Sequence, residues 1–194
     1  MRDKIIRAAT EFLESGGSLS DLTLTAIARE VGVHQASLYY YFSDKYELVA
    51  ELMNIRELLA DAQEPREGED FGSYAERHLD ALIAAYTDRP RVLQAGIDLI
   101  CADPKYLAAW KDYMESWVPP LARTARADPL YDPAGHDGEL EEVLTVFMWA
   151  VERNFYMLFS TPPWPERAQV ERRKRTVLRS LFASLSYPAP PASP

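Results

Sequence analysis

The chain has 194 residues, 47% of them apolar, enough to build one small and one medium core. Its 21 Lys and Arg stand against 30 Asp and Glu, a net charge of −9, which excludes a protein that coats nucleic acid through a broadly basic surface. A single cysteine, Cys101, excludes an internal disulfide and fits a reducing cytoplasm, and the longest apolar run, Val143–Val151, falls far short of a membrane span.

The first element is an amphipathic helix over Asp3–Glu14. Arg2, Asp3 and Lys4 precede no uniformly apolar stretch, so no export signal is expected. Thr23 then offers a hydroxyl to cap a helix running through Ile27 to Val31. Ala28 is small where two helices would cross closely, and Gly32 can end the helix in the left-handed conformation. Val33 begins the turn as an apolar plug. A second helix starts near His34 and continues through Phe42, with Leu38 and Phe42 four residues apart and facing inward. Leu24–Ser43 thus carries small, turn-forming and apolar residues in the order a helix-turn-helix requires. Ala36, Ser37, Tyr39 and Tyr40 are left facing outward, where a solvated helix would carry Lys and Glu. That face suits a groove better than water.

Ser43 or Asp44 can cap the next helix, and Asp44 with Glu47 has capping-box spacing. Lys45 falls in the first helical turn, which the macrodipole disfavours by a few tenths to roughly 1 kcal/mol. A helix N-terminus beside an ammonium group is the arrangement of a phosphate site.

These residues carry a family resemblance. Thr23, Ile27-Ala28, Gly32-Val33, Leu38-Tyr39, Tyr41-Phe42 and Lys45 follow the pattern of the tetracycline-repressor (TetR) family, and Leu24–Leu48 with the preceding helix resembles its DNA-binding domain. The resemblance covers about the first quarter of the chain. It implies phosphate contacts for Thr23, Tyr39, Tyr41 and Lys45, and places Gln35, Ala36, Ser37 and Tyr40 nearest the base edges. Gln35 is the best candidate for a bidentate base contact, to adenine, at roughly 1–3 kcal/mol of discrimination. Thr25 stands where many relatives carry a longer, basic side chain, and His34 replaces a more usual small capping residue. The first fifty residues hold five basic and seven acidic side chains, so DNA attraction must come from their arrangement rather than their sum.

Past Leu48 a long helix over Asp44–Ala62 is expected to connect the domains, with Pro65, Gly68 and Gly72 marking its end. Helices follow over Ser73–Thr87, Pro90–Ala102 and Pro104–Ala127, the last kinked or split at Pro119-Pro120. Asp128–Gly138 reads as a loop, Glu139–Ser160 as a long helix, Thr161–Pro165 as a break and Glu166–Leu185 as the last helix. No strand pattern occurs. The expectation is an all-α protein: a helix-turn-helix domain over 1–47, an effector-binding and dimerisation domain over 48–186, and a disordered tail over 187–194.

The helix Glu139–Ser160 has apolar residues on two sides. Leu144, Phe147, Met148, Val151, Phe155 and Leu158 form one stripe, and Leu140, Val143, Trp149, Tyr156 and Phe159 widen it beyond what one core can cover. With the final helix it is the natural homodimer surface, and the TetR resemblance implies a four-helix bundle there that presents two recognition helices to a palindromic operator. Arg172, Arg173, Lys174 and Arg175 read as a solvated face pairing with acids such as Glu141, Glu142 and Glu171. Ile97, Cys101, Trp110, Met114, Trp117, Phe147, Val151 and Phe155 could together line an apolar, aromatic pocket for a small hydrophobic effector, with Asp98 and His78 as candidate orienting groups.

Histidine is scarce: His34, His78 and His136 are the only three, and no paired ligands, phosphate cradle or nucleophile–base motif accompanies them. No enzyme activity, cofactor or metal is therefore expected. The expected function is a dimeric, cytoplasmic regulator, a repressor released by a small apolar molecule through movement of the connecting helix. A helical adaptor with a degenerate recognition helix is the alternative raised by the acidic balance and the short Thr25.

Overall fold

The computed structural model describes residues 1–53, 59–132 and 138–188, and every regular element among them is a helix. In chain order these are α1 (Arg2–Glu14), α2 (Leu24–Val31), α3 (Gln35–Tyr39), α4 (Lys45–Leu52), α5 (Ala60–Gln63), α6 (Phe71–Asp88), α7 (Pro90–Ala102), α8 (Pro104–Glu115), α9 (Val118–Ala127), α10 (Leu140–Leu158) and α11 (Arg167–Ser184). They form two compact units. The first comprises 1–55 and 87–110, the second 56–86 and 111–194. The chain passes between units inside α6 and inside α8.

In the first unit α1 buries Ile5, Ala8, Ala9 and Leu13, the spacing of one helical face. These residues share a core with Ile27 and Ala28 of α2, Leu38 of α3, Leu48, Val49 and Leu52 of α4, and Val92, Ala95 and Leu99 of α7. The helix-turn-helix region is therefore closed by a helix from much later in the chain. Two contacts fix that helix. A Glu14 carboxylate oxygen accepts the Val92 backbone N–H at 3.0 Å, in the first turn of α7, where Pro90 has no N–H to satisfy. Gly96 of α7 is buried against Met53, and a Cβ built on it would fall within the Met53 side chain.

The second unit packs Phe71, Tyr74, Trp117, Phe155 and Phe182, all less than 2% exposed. Asp128 ties its ends together. One carboxylate oxygen accepts both Phe71 N–H at 2.9 Å and Tyr187 O–H at 2.7 Å, and the Tyr187 ring meets the Phe71 and Phe182 rings with centroids 5.3 Å away from each. Burial opposes the charge on Asp128, yet donors from Leu130, Tyr187 and Phe71 hold its carboxyl below the usual range. Arg77 clamps α5 by donating to the Asp61 and Glu64 carbonyls while pairing with Glu69 at 2.7 Å.

Several boundaries differ from those expected. Of the helix expected over Asp44–Ala62, α4 runs to Leu52 with Met53 as its C-cap at φ −73°, ψ −2°, and residues 54–58 lie outside the described residues. No Gly or Pro marks that stop, so apolar periodicity alone ran through it. The helix after Pro104 is split rather than kinked, with Pro119 and Pro120 in the first turn of α9, where missing N–H groups cost nothing. Tyr187, expected to open a disordered tail, is buried and bonded, whereas 189–194 lie outside the described residues. So do 133–137 of the expected loop, His136 among them.

The Gly96 notch yields a direct test. Gly96→Ala should destabilise the protein by about 1–3 kcal/mol through overpacking, and Met53→Ala should recover much of that loss in the double variant. Urea unfolding of the four proteins measures the coupling, and strictly additive effects would contradict the contact.

Candidate nucleic-acid interface

Thr23 has extended backbone, and its hydroxyl accepts the Ala26 N–H at 3.1 Å, capping α2. At the other end Gly32 sits at φ +77°, ψ +36°. Its N–H reaches the Arg29 carbonyl at 3.2 Å and the Val33 N–H reaches the Ala28 carbonyl at 2.9 Å. This pair is a Schellman turn, which needs a left-handed residue where glycine pays no Cβ penalty. The chain leaves it aimed into α3.

α3 is shorter than the expected helix from His34 to Phe42. The Tyr41 and Phe42 N–H groups both bond the Leu38 carbonyl at 2.9 Å, closing a turn that delivers the chain to the Asp44 cap of α4. Leu38 and Phe42 are buried and Tyr41 is half-buried, with its ring edge-on to Tyr40 at 5.0 Å. His34 precedes the helix without a side-chain cap. Thr25, His34, Gln35, Ala36 and Ser37 are exposed, Tyr39 is 53% exposed and Tyr40 84%. The Gln35 amide nitrogen donates to the Tyr39 phenol at 3.2 Å. That bond steadies Gln35 and leaves its carbonyl and one N–H for N6 and N7 on the major-groove edge of an adenine.

The start of α4 is less open to an anion than its sequence suggests. Asp44 accepts the Glu47 N–H at 2.8 Å, and Glu47 reaches back to the Ser43 N–H at 2.6 Å and hydroxyl at 2.7 Å. Those Ser43 bonds hold the Glu47 carboxyl below its usual range. Lys45 is half-buried, and its ammonium donates to the carbonyls of Leu19 at 2.9 Å and Ser20 at 3.5 Å. The lysine thus ties α4 to the loop that leads into the Thr23 cap. Arg2 pairs with Glu51 at 2.5 Å, and Lys4, Arg7 and Arg29 are exposed.

The family model described as bacterial regulatory proteins, tetR family, matches residues 5–52. Residues 5–52, about a quarter of the chain, thus form a TetR-type domain. That segment is the kind of domain carried by bacterial regulatory proteins of the tetR family. No curated protein matches the chain in sequence. Solved TetR-like structures match nearly its full length. A transcriptional regulator from Rhodococcus sp. Rha1 aligns at TM-score 0.74 with 15% identity, covering 95% of this chain and 97% of the other. BioQ from Mycobacterium smegmatis aligns at 0.66 with 22% identity, covering 96% and 98%. BioQ bound to its double-stranded DNA operator aligns at 0.63, also with 22% identity and the same coverage.

The expected pocket residues of this chain do not fall in one unit. Ile97, Cys101 and Trp110 belong to the first, and Met114, Trp117, Phe147, Val151 and Phe155 to the second. Cys101 is exposed on α7 and Phe147 is only half-buried on α10, so neither is enclosed within its unit, while the other six are buried. Asp98 is exposed. The basic stretch of α11 finds other partners than those expected: Lys174 bonds the acids Glu76 at 2.7 Å and Asp80 at 2.6 Å, Arg173 donates to the Asn154 amide oxygen at 2.8 Å, and Glu141 is taken by Arg126. These partners lie far away in sequence, beyond the reach of helical spacing. Among the described residues no His, Cys, Asp and Glu cluster could hold a metal ion, and no helix is long and apolar enough to cross a membrane.

Of two buried polar groups in the second unit, the sequence pointed to His78 as a candidate orienting group and missed Glu152. His78 lies 3.9 Å from the Trp117 ring, 5% exposed, and its Nδ1 has no hydrogen-bond partner. Glu152 on α10 is 3% exposed, and its Oε1 also has none. The signal was present, since each interrupts an otherwise apolar helical face. Desolvation, with the nearby Arg77 charge, pushes the His78 imidazole down from 6.5 to about 3. The unfolded chain therefore takes up that proton first, and stability falls as the pH drops from 6.5 toward 3. Denaturant midpoints between pH 7 and pH 5 should fall less in His78→Phe than in the natural protein. Equal falls would remove His78 as the source.

Proposed function

We propose that the chain is a dimeric repressor that binds a palindromic operator and is released when a small molecule enters the second unit. The observation that carries the DNA side is the exposed face of α3, where Gln35, Ala36, Ser37, Tyr39 and Tyr40 meet solvent with no charge among them. Large exposed aromatics next to small residues fit the contoured floor of a major groove and gain little in water. In this reading Gln35 and Tyr40 meet base edges with Ala36 and Ser37, and Thr23, Thr25, His34, Tyr39 and Tyr41 lie along the backbone. Lys45 has three donors, of which two are directed at loop carbonyls, leaving one for a phosphate. The operator complex of BioQ supports the same use of this fold.

Dimerisation is supported by α10 and α11. Val146 is 61% and Met157 60% exposed, with Ala150 exposed between them at helical spacing. On α11 the exposed Thr176 and Ser180 hydroxyls fold back onto the Arg172 and Thr176 carbonyls at 3.0 and 2.9 Å. Their polarity is spent within the helix, which leaves small side chains that another helix can approach closely. An acidic protein with few phosphate contacts needs two recognition helices to reach useful affinity, and a two-fold dimer supplies them.

Coupling in this reading passes through α7 rather than a continuous connecting helix. Two of the three chain crossings between the units flank α7, which carries the Gly96 seat of Met53 and the backbone that Glu14 caps. A ligand that favours a shifted α7 drags α1 and α4 with it, and the DNA complex weakens by the ligand's differential affinity.

Selection from random DNA should recover a palindrome, and absence of sequence-specific binding at low salt by a folded protein would favour a non-DNA adaptor instead. Lys45→Ala should weaken all sites alike and reduce the salt slope by about one, whereas Gln35→Ala should cost roughly 1–3 kcal/mol at one base position and relax preference there. Uniform losses across sequences from both variants would contradict this division of roles.

A further inference from the structure

Glu152 is the one acid on the inward face of α10. Met148 and Phe155, one turn to either side on that face, are buried, as is the adjacent Val151. A purely structural residue there would be apolar like its neighbours. Instead a carboxyl is enclosed with Oε1 unbonded, and its other oxygen lies 3.7 Å from the Nε of Arg153, beyond hydrogen-bond reach. The Arg153 guanidinium is turned over the Tyr156 ring at 5.0 Å, and its side chain is 56% exposed. Burial pushes the Glu152 carboxyl up, and after burial itself the Glu152 charge is the largest influence raising the Tyr86 phenol, which stacks on Phe159. Acid and aromatic rings thus share the interior of this unit.

We infer that Glu152 anchors the effector, and that the effector is an apolar molecule carrying a protonated amine whose N–H groups donate to the Glu152 carboxylate. This rests on the reading of the second unit as the effector-binding half, and it replaces a purely apolar effector by an apolar cation. An ammonium supplies the charge-assisted bonds that Arg153 is too far away to make. The buried Tyr86 and Phe159 rings of the same unit would favour a cation over their faces, and His78, held neutral, adds no buried charge. A carboxyl left unsatisfied in the empty protein is the kind of stability cost that a binding site retains.

The test uses the full chain without DNA and phenylalkylamines with two- to six-carbon chains, each matched to the alcohol and carboxylic acid of the same skeleton. Thermal shift and tryptophan fluorescence read binding. At least one amine should bind tenfold or more tighter than its alcohol, the acids should not bind, and Glu152→Gln should abolish the amine's advantage. Without ligand, Glu152→Met should melt about 2–4 °C higher, because an apolar side chain of similar size replaces the unsatisfied acid. An alcohol binding as tightly as its amine, no amine binding at all, or a lower melting temperature for Glu152→Met would overturn the assignment. Failure of operator selection would overturn the regulatory reading and leave these ligand measurements valid, so the two outcomes are distinguishable.

Discussion

A five-residue helix cannot hold its own shape in water, so the recognition face depends on the burial of Leu38 and Phe42 in the core beneath it. That core is not local. Val92, Ala95 and Leu99 of α7 complete it, and Glu14 and Met53 hold α7 in place through one hydrogen bond and one notch. The Schellman turn at Gly32 then sets the direction in which α3 departs. Anything that moves α7 must disturb the packing that orients the exposed tyrosines. In the proposed function, regulation uses the same contacts that stabilise the fold.

The acidic composition is handled near α3 by internal pairing. Asp44 and Glu47 are consumed in capping α4, and Glu51 is paired with Arg2, so several acids near the interface are engaged with donors of the protein itself. The cost is that the N-terminus of α4 is partly occupied and Lys45 is partly spent on loop carbonyls. In the proposed reading, what remains is a neutral, shape-based surface with few strong phosphate contacts. Such a surface discriminates poorly alone, which is why the apolar faces of α10 and α11 matter to DNA recognition in this account.

The helix-turn-helix was legible because its determinants are local. Thr23, Ala28 and Gly32 act within a few residues of their partners, and the sequence pattern reports them directly. The end of α4 was not legible, because no breaker stands at Met53. The participation of α7 in the first core was hidden for a related reason: nothing in the Val92–Leu99 periodicity says which core it faces. Tyr187 looked like the start of a Pro/Ala-rich tail, and only its bond to Asp128, 59 residues earlier, fixes it. Lys174 likewise finds Glu76 and Asp80 rather than the acids nearer in sequence. Helical spacing shows that His78 and Glu152 interrupt apolar faces, but not that His78 Nδ1 and Glu152 Oε1 are left without hydrogen-bond partners.

The central claim is that specificity comes from two recognition helices held by one dimer rather than from a single α3. Comparing affinity for a selected palindrome with affinity for the same DNA carrying one scrambled half-site tests this most directly. The account predicts that the single half-site retains little more than non-specific affinity, with the full site bound by two copies of the chain. Equal affinity for both DNAs, with one copy bound to each, would contradict it.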